Sequence, residues 1–254
     1  MGPASTNDAR TRCAWAVPGK PLVIRYHDHE WGVPARDDRK HFEFLVLEGA
    51  QTGLNWLVIL NKREGYRRAF SDFDPEKVAR YSDKRVAKLL QNPDIIRNRM
   101  KIESAISNAR AFFKIQEEFG TFWAYAWQFI GGHPKQNRWK NVGDIPATTP
   151  VSDAFSKDLK ERGFSFVGST VVYAHMQATG MSMTTRSIAS DTRKFCEMTA
   201  EPLDWSSLVQ FGARKLEGHR GCGAQLCASA PGSEMSYLPT GASRGWVGRA
   251  TGRP

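Results

Sequence analysis

Apolar residues recur every three to four positions through most of the first 180 residues, which is the period of helices with one buried face. The clearest runs predict helices that start at Asp37-Asp38, Leu54, Asp74-Pro75, Ser82 and near Ile102. Residues 120–130 are rich in aromatic rings at helical length, which is typical of a core helix. No stretch predicts a sheet, so the pattern indicates an all-α fold.

Residues 151–180 have the pattern of two helices joined by a short turn. Ser152 is expected to cap the first helix and Gly163 to end it, while Ser169 after Gly168 is expected to cap the second. Glycine turns beside a helix N-terminus can bind DNA phosphates through backbone N–H groups. An ordinary αα-hairpin has the same pattern, so the turn alone leaves both interpretations open.

The composition changes sharply at both ends of the chain. Residues 1–11 are small and polar, and residues 212–254 are rich in Gly, Ser, Ala and Arg. Such segments bury too little apolar surface to offset the entropy of ordering. We therefore predict a disordered N-terminus at 1–11, one domain at 12–183 and a largely disordered tail at 184–254.

Charge and cysteine content narrow the class of protein. The formal net charge is +10 and the sequence pI is about 9.6, which favours a polyanionic partner such as nucleic acid. The four cysteines do not form a regular framework, which indicates a reducing compartment. No apolar run is long enough to span a membrane, and we expect an intracellular protein located with the DNA.

Chemistry-bearing residues concentrate in residues 26–56. Glu48 follows the apolar run 42–47, where a carboxylate is costly to bury unless it binds something. Tyr26, Trp31 and Trp56 can supply ring faces around it. These residues predict a pocket for a flat, polar, electron-poor ring.

Several motifs give the chain its resemblance to the DNA-3-methyladenine glycosylase I family. They follow the family order from about residue 12 to 183: Arg12-Cys13-Ala14-Trp15, Tyr26-His27-Asp28-His29-Glu30-Trp31-Gly32-Val33-Pro34, Leu47-Glu48-Gly49, Leu54-Asn55-Trp56, Ile95-Ile96-Arg97-Asn98-Arg99, Lys101-Ile102 and Arg162-Gly163-Phe164-Ser165-Phe166-Val167-Gly168. The resemblance implies a helix-hairpin-helix fold. It also implies base-excision repair of double-stranded DNA, in which alkylated adenine is flipped out and its N-glycosidic bond is hydrolysed.

The resemblance also implies roles for individual residues. Glu48 is the expected catalytic residue and hydrogen-bonds the adenine edge, Tyr26 and Trp56 stack on the ring, and Trp15 helps to close the pocket. The methylated nucleotide is cationic, so ring faces and a carboxylate attract it more strongly than they attract adenine.

DNA contacts are expected from the loop after Glu48 and from the hairpin glycines, Gly163 and Gly168. Of the loop, Gln51, Gly53 and Leu54 are expected to fill the gap left by the flipped base, with Leu54 as the wedge. The alternative is that Leu54 is a core residue at a helix start.

The activity is expected to be monofunctional. No Asp or Glu occurs between Ser169 and Ser190, and the hairpin turn has no lysine for a Schiff-base step. The protein is expected to be a monomer without an organic cofactor.

Family members hold a structural zinc, and only half of its ligand set is recognisable here. Cys13 and His27 match the first pair, but the His-x-x-x-Cys expected just after Gly180 is missing, and two ligands do not close a tetrahedral site. The alternatives are a zinc-free variant, a replaced ending, or irregularly spaced ligands from the tail: His219, Cys222 and Cys227.

Two other interpretations stay open at this point. One is a catalytically silent DNA-binding relative with an incomplete zinc site, and the other is an RNA-binding helical protein, which only the net charge supports. The remaining histidines are interpreted as ordinary surface or packing residues: His29, His133 and His175.

Overall fold

The computed structural model of the chain describes residues 12–137, 139 and 142–183, and all of them belong to one compact unit. The predictions for residues 1–11 and 184–254, including His219, Cys222 and Cys227, lie outside the described residues. Within the described part, no helix is long and apolar enough to cross a membrane.

The described fold is almost entirely helical, which confirms the predicted all-α class. Its helices are α1 Pro21–His29, α2 Asp38–Gln51, α3 Trp56–Ala69, α4 Pro75–Ala79, α5 Asp83–Gln91, α6 Arg99–Phe119, α7 Phe122–Gln128, α8 Pro150–Glu161 and α9 Ser169–Ala178. Short 3-10 turns occupy Ser71–Phe73 and Val142–Asp144.

Helix α2 lies at the centre of the fold. Residues 41–50 are all buried, and the helix packs against α3, α6, α7 and α9. A helix that is buried on all sides needs apolar residues all round, which is why residues 42–47 are largely apolar. Glu48, near the end of this helix, is therefore placed in the protein interior by the packing of its own helix.

Several helix starts agree with the sequence pattern. The side chain of Asp37 accepts a hydrogen bond from the N–H of Arg39, and that of Asp74 accepts one from Lys77. Both aspartates therefore cap backbone donors that would otherwise be unsatisfied.

The predicted caps of the hairpin helices were wrong. Helix α8 starts at Pro150 with Thr149 as its N-cap, and Ser152 is the partner of Thr149 in a capping box. Proline suits the first helical position and favours an extended residue before it, so α8 begins at Pro150 rather than after Ser152. The N-cap position of α9 is Gly168 rather than Ser169, and no side chain makes a capping hydrogen bond there.

The aromatic segment 120–130 forms α7, and its rings belong to the core, as predicted. Phe122 and Tyr125 are almost fully buried. The ring of Phe122 stacks on that of Phe112 of α6 at a centroid distance of 4.4 Å. This stacking joins the short helix α7 to the long helix α6 within the core.

A two-stranded parallel sheet, which the sequence does not predict, joins the hairpin to the loop before it. Strand β1 is Lys135–Gln136 and strand β2 is Ser182–Met183, paired in the register Lys135 to Ser182. Two residues are too few to show an alternating pattern, so their pairing depends on the contact between the segments.

The turn between α8 and α9 is held from two sides. Asn108 of α6 donates to the carbonyl of Ser165 at 2.9 Å and accepts from its N–H at 2.8 Å. Ser156 of α8 donates to the carbonyl of Val167 at 2.6 Å. These bonds hold the turn in one conformation, including Phe166, whose φ of 57° is left-handed.

Candidate active site

A cavity of about 440 Å³ opens between the N-terminal segment, the end of α2 and helix α9. This volume suits a small planar ligand. Its lining includes six of the predicted site residues, and also residues that the sequence did not indicate. The lining residues are Cys13, Ala14, Trp15, Tyr26, Trp31, Glu48, Gln51, Trp56, Ile145, Ala174 and Gln177.

Aromatic rings form the walls of this cavity. Tyr26 and Trp56 lie 5.3 Å apart between ring centroids at 54°, and Trp15 lies 6.2 Å from Tyr26. Tyr26 is 4% exposed whereas Trp15 is 39% exposed, so Trp15 lies at the solvent side of the group. The structure thus brings together the three residues predicted to hold a base. All three rings line the cavity, so a flat ligand bound there would contact them.

Glu48 is the acidic residue of the cavity lining. The residue is 4% exposed, and its Oε2 is buried without a hydrogen-bond partner among the described residues. Burial raises the pKa of the Glu48 carboxyl well above its ordinary value, because the charged form loses solvation. The pKa of the Tyr26 hydroxyl is also raised, first by burial and then by the nearby Glu48. Burial therefore favours the neutral form of this carboxyl.

Two histidines that the sequence reasoning did not assign to the site lie behind Glu48. Nδ1 of His175 is 3.5 Å from Oε2 of Glu48, and His175 also contacts His41 of α2. His175 is 1% exposed, so it is a buried neighbour of the candidate catalytic residue rather than an ordinary packing residue. His41 and Glu48 are seven positions apart on one helix and share a face. This spacing could have identified His41 as a residue on the Glu48 side of α2.

Helix α2 ends at Gln51, and a short loop joins it to the start of α3. Gln51 lines the cavity, and Gly53 adopts a left-handed φ of 77°. Leu54 is 41% exposed, which excludes the alternative that it is a core leucine. Lys101 of α6 donates to the carbonyls of Ala50 and Thr52 at 2.8 and 2.6 Å, and so holds the loop in place.

The hairpin glycines lie away from the cavity lining. Gly163 has a φ of 90°, which ends α8 as predicted, and Gly168 precedes α9. A Cβ atom at either position would meet no atom within 4 Å. Both backbones are therefore sterically open to an external group.

Cys13 and His27 do not fit a zinc site in the described part of the chain. Nε2 of His27 accepts a hydrogen bond from the backbone N–H of Cys13 at 3.3 Å, and Nδ1 donates to Asp28 at 3.0 Å. Both ring nitrogens are thus engaged. The described residues also contain no group of three or more His, Cys, Asp or Glu that could hold a metal ion. His29 and His133 are exposed, as predicted.

Known proteins match this chain over most of its described residues. Residues 15–190 match the family model described as methyladenine glycosylase. The chain is 46% identical over 170 residues to DNA-3-methyladenine glycosylase 1 of Escherichia coli strain K12, which covers 67% of this chain and 90% of that protein.

Solved structures give the same relationship. The fold matches a crystal structure of 3-methyladenine DNA glycosylase I with a TM-score of 0.68 and 46% identity, over 71% of this chain and 98% of that one. It also matches 3-methyladenine DNA glycosylase I of Staphylococcus aureus, from work on 3-methyladenine recognition. That match has a TM-score of 0.69 and 32% identity, over 77% of this chain and all of that one.

Proposed function

Because the chain belongs to the methyladenine glycosylase family, we propose that it excises 3-methyladenine from alkylated double-stranded DNA in base-excision repair. The observation that supports this most directly is the buried Glu48, which lines a cavity walled by aromatic rings. A buried carboxyl group is costly unless a partner binds it.

Recognition depends on the charge of the damaged base. A 3-methyladenine still attached to its sugar is cationic, so it is attracted by ring faces and favours the ionised form of Glu48. Ordinary adenine is neutral and leaves the cost of ionising the buried Glu48 uncompensated. The cavity therefore prefers the methylated base, because Glu48 becomes fully ionised only when the cationic base is bound.

Cleavage follows from the same charge. When water adds to C1′ of the sugar and releases a proton to solvent, the glycosidic bond breaks and its electron pair neutralises the departing base, so the base needs no strong acid. Glu48 then acts mainly by binding and orienting the base edge, with Tyr26, Trp56 and Trp15 on the ring. The absence of a turn lysine supports hydrolysis without a lyase step.

The base must leave the duplex before it can enter this cavity. The exposure of Leu54 supports its role as the wedge in the gap, with Gln51 at the end of α2 and Gly53 in the loop beside it. The open space at Gly163 and Gly168 supports contacts between their backbones and phosphates. We propose that a monomer makes these contacts with double-stranded DNA, in the compartment that holds the DNA.

A base-release assay tests the proposal. The full chain should release free 3-methyladenine from methylated duplex DNA, and Glu48→Gln should lower the rate at least about a hundredfold, as loss of a key electrostatic group does. Glu103→Gln is the matched control, because this exposed glutamate of α6 makes only a surface ion pair with Arg99. If the protein binds methylated DNA but releases no base, it is a silent DNA-binding relative. If it prefers RNA to methylated DNA, it is an RNA-binding helical protein.

A further inference from the structure

His41 and His175 form a hydrogen-bonded chain behind Glu48. Nε2 of His41 is 2.9 Å from the carbonyl oxygen of Ala35, and Nδ1 of His41 is 3.1 Å from Nε2 of His175. Beyond His175, Oε2 of Glu48 lies 3.5 Å from Nδ1 of His175, and neither atom has a hydrogen-bond partner among the described residues. Both histidines are fully buried, and neither lines the cavity.

The carbonyl at one end sets the direction of this chain. A carbonyl oxygen only accepts hydrogen bonds, so Nε2 of His41 must donate to Ala35. Burial lowers the pKa of both histidines to about 3, so both rings are neutral at pH 7. The Nδ1 of His41 is then an acceptor, Nε2 of His175 donates to it, and Nδ1 of His175 is left without a hydrogen.

This unprotonated nitrogen faces Oε2 of Glu48. An ionised Glu48 would place two acceptors against each other, whereas a neutral Glu48 can donate its hydroxyl to Nδ1. The distance of 3.5 Å is long for a hydrogen bond, but such bonds in empty active sites often shorten when the ligand binds. Tyr26 also faces Glu48, from α1, and burial raises the pKa of its hydroxyl, so it stays neutral.

We propose that His41 and His175 are positioning residues that keep the hydrogen of Glu48 on Oε2, so that Oε1 faces the cavity only as a hydrogen-bond acceptor. The inference rests on the proposed function and extends it to the choice of base. An acceptor in the cavity favours a purine with an exocyclic amino group over the same purine with an oxo group.

Oε1 remains a hydrogen-bond acceptor when a cationic base ionises Glu48. Ionisation releases the proton of Oε2 to water, and both oxygens of a carboxylate only accept hydrogen bonds. In both states Oε1 accepts from the base edge. Removal of the two rings would let the neutral carboxyl turn its hydroxyl toward the cavity and donate to a carbonyl.

Two free bases provide the test: 3-methyladenine, which has the amino group, and 3-methylhypoxanthine, which has an oxo group in its place. Their Kd values are measured with the full chain by quenching of tryptophan fluorescence. We expect the oxo base to bind the native protein roughly tenfold to a hundredfold more weakly, since two acceptors would face each other.

The variant His41→Leu/His175→Phe removes all four ring nitrogens together and keeps apolar volume, so that outside Glu48 only the carbonyl of the half-buried Ala35 loses its partner. We expect the ratio of the two Kd values to fall at least about tenfold in this variant. His175→Gln retains a donor for His41 and an acceptor for Glu48, so its ratio should stay near the native value. Met176→Leu, which changes a neighbouring buried residue of α9, is the packing control and should not alter the ratio.

An unchanged ratio in the double variant would overturn the proposal, provided that the native protein binds 3-methyladenine and releases it from DNA. A native protein that does neither contradicts the proposed function instead. Nitrogen-15 NMR of the native protein supplies a measurement that needs no variant. We expect Nδ1 of both buried histidines to be unprotonated at pH 7, and a hydrogen on Nδ1 of His175 in the empty protein would also overturn the proposal.

Discussion

Asn108 binds the backbone of Ser165 through both ends of its amide, donating to the carbonyl at 2.9 Å and accepting from the N–H at 2.8 Å. Asn108 is 3% exposed and belongs to α6, whereas Ser165 lies in the turn between α8 and α9. The turn that carries the proposed phosphate contacts is therefore held by a side chain from another part of the chain.

Asn108→Ala should destabilise the protein by about 2 kcal/mol, because two backbone groups of the turn lose their partner in a partly buried setting. Urea unfolding followed by circular dichroism measures this. Ser107→Ala is the matched control on the same helix, since its hydroxyl only bonds back to the carbonyl of Ser104. Equal stability of the two variants would show that the bonds to Ser165 contribute little.

Lys101→Met should weaken base release from duplex DNA while leaving the binding of free 3-methyladenine nearly unchanged. Lys101 holds the loop that bears Leu54 but does not line the cavity. We expect kcat/KM on duplex DNA to fall roughly tenfold, the scale of losses when a positioned element moves. Lys88→Met, at an exposed site on α5, controls for the lost charge. If Lys101→Met lowered the affinity for the free base as much as it lowers kcat/KM, Lys101 would do more than hold the loop.

Glu48→Gln should stabilise the protein at high pH even as it removes activity. Burial raises the pKa of Glu48 above its ordinary value of 4.5, so the folded state keeps this proton at pH values where the unfolded chain has released it. Stability from this group is therefore complete below the ordinary pKa and falls as pH rises above it. At pH 8 we expect a gain in Tm of roughly 2–4 °C, the shift that about 1 kcal/mol produces in a domain of this size.

The gain should disappear near pH 4, where the native Glu48 and its unfolded counterpart are both largely protonated. Melting curves of the two proteins at pH 4 and pH 8 make the comparison. A gain of the same size at both pH values would point to packing rather than to the cost of ionisation.

The purified full chain should contain no stoichiometric zinc, and a chelator should leave its Tm unchanged. Nε2 and Nδ1 of His27 are already hydrogen-bonded to Cys13 and Asp28. Elemental analysis of the native protein and of Cys13→Ala tests this. Stoichiometric zinc that is lost in Cys13→Ala would contradict it, and would indicate that ligands come from residues 184–254.

The sequence by itself determined the helical class, several helix starts and the location of the acid. Helical periodicity and caps such as Asp37 and Asp74 depend on residues within one or two turns, so they can be read locally. Glu48 could be identified because a carboxylate directly after an apolar run is rare, and the family motifs added the rings of Tyr26, Trp56 and Trp15.

Only the tertiary structure decided which distant residues meet. His41 and His175 are 134 positions apart, and their pairing exists because α9 packs against α2. The same applies to Asn108 with Ser165, and to the two short strands. Local patterns report which face of an element is buried, but a contact between elements depends on how they pack together, which no short stretch of sequence contains.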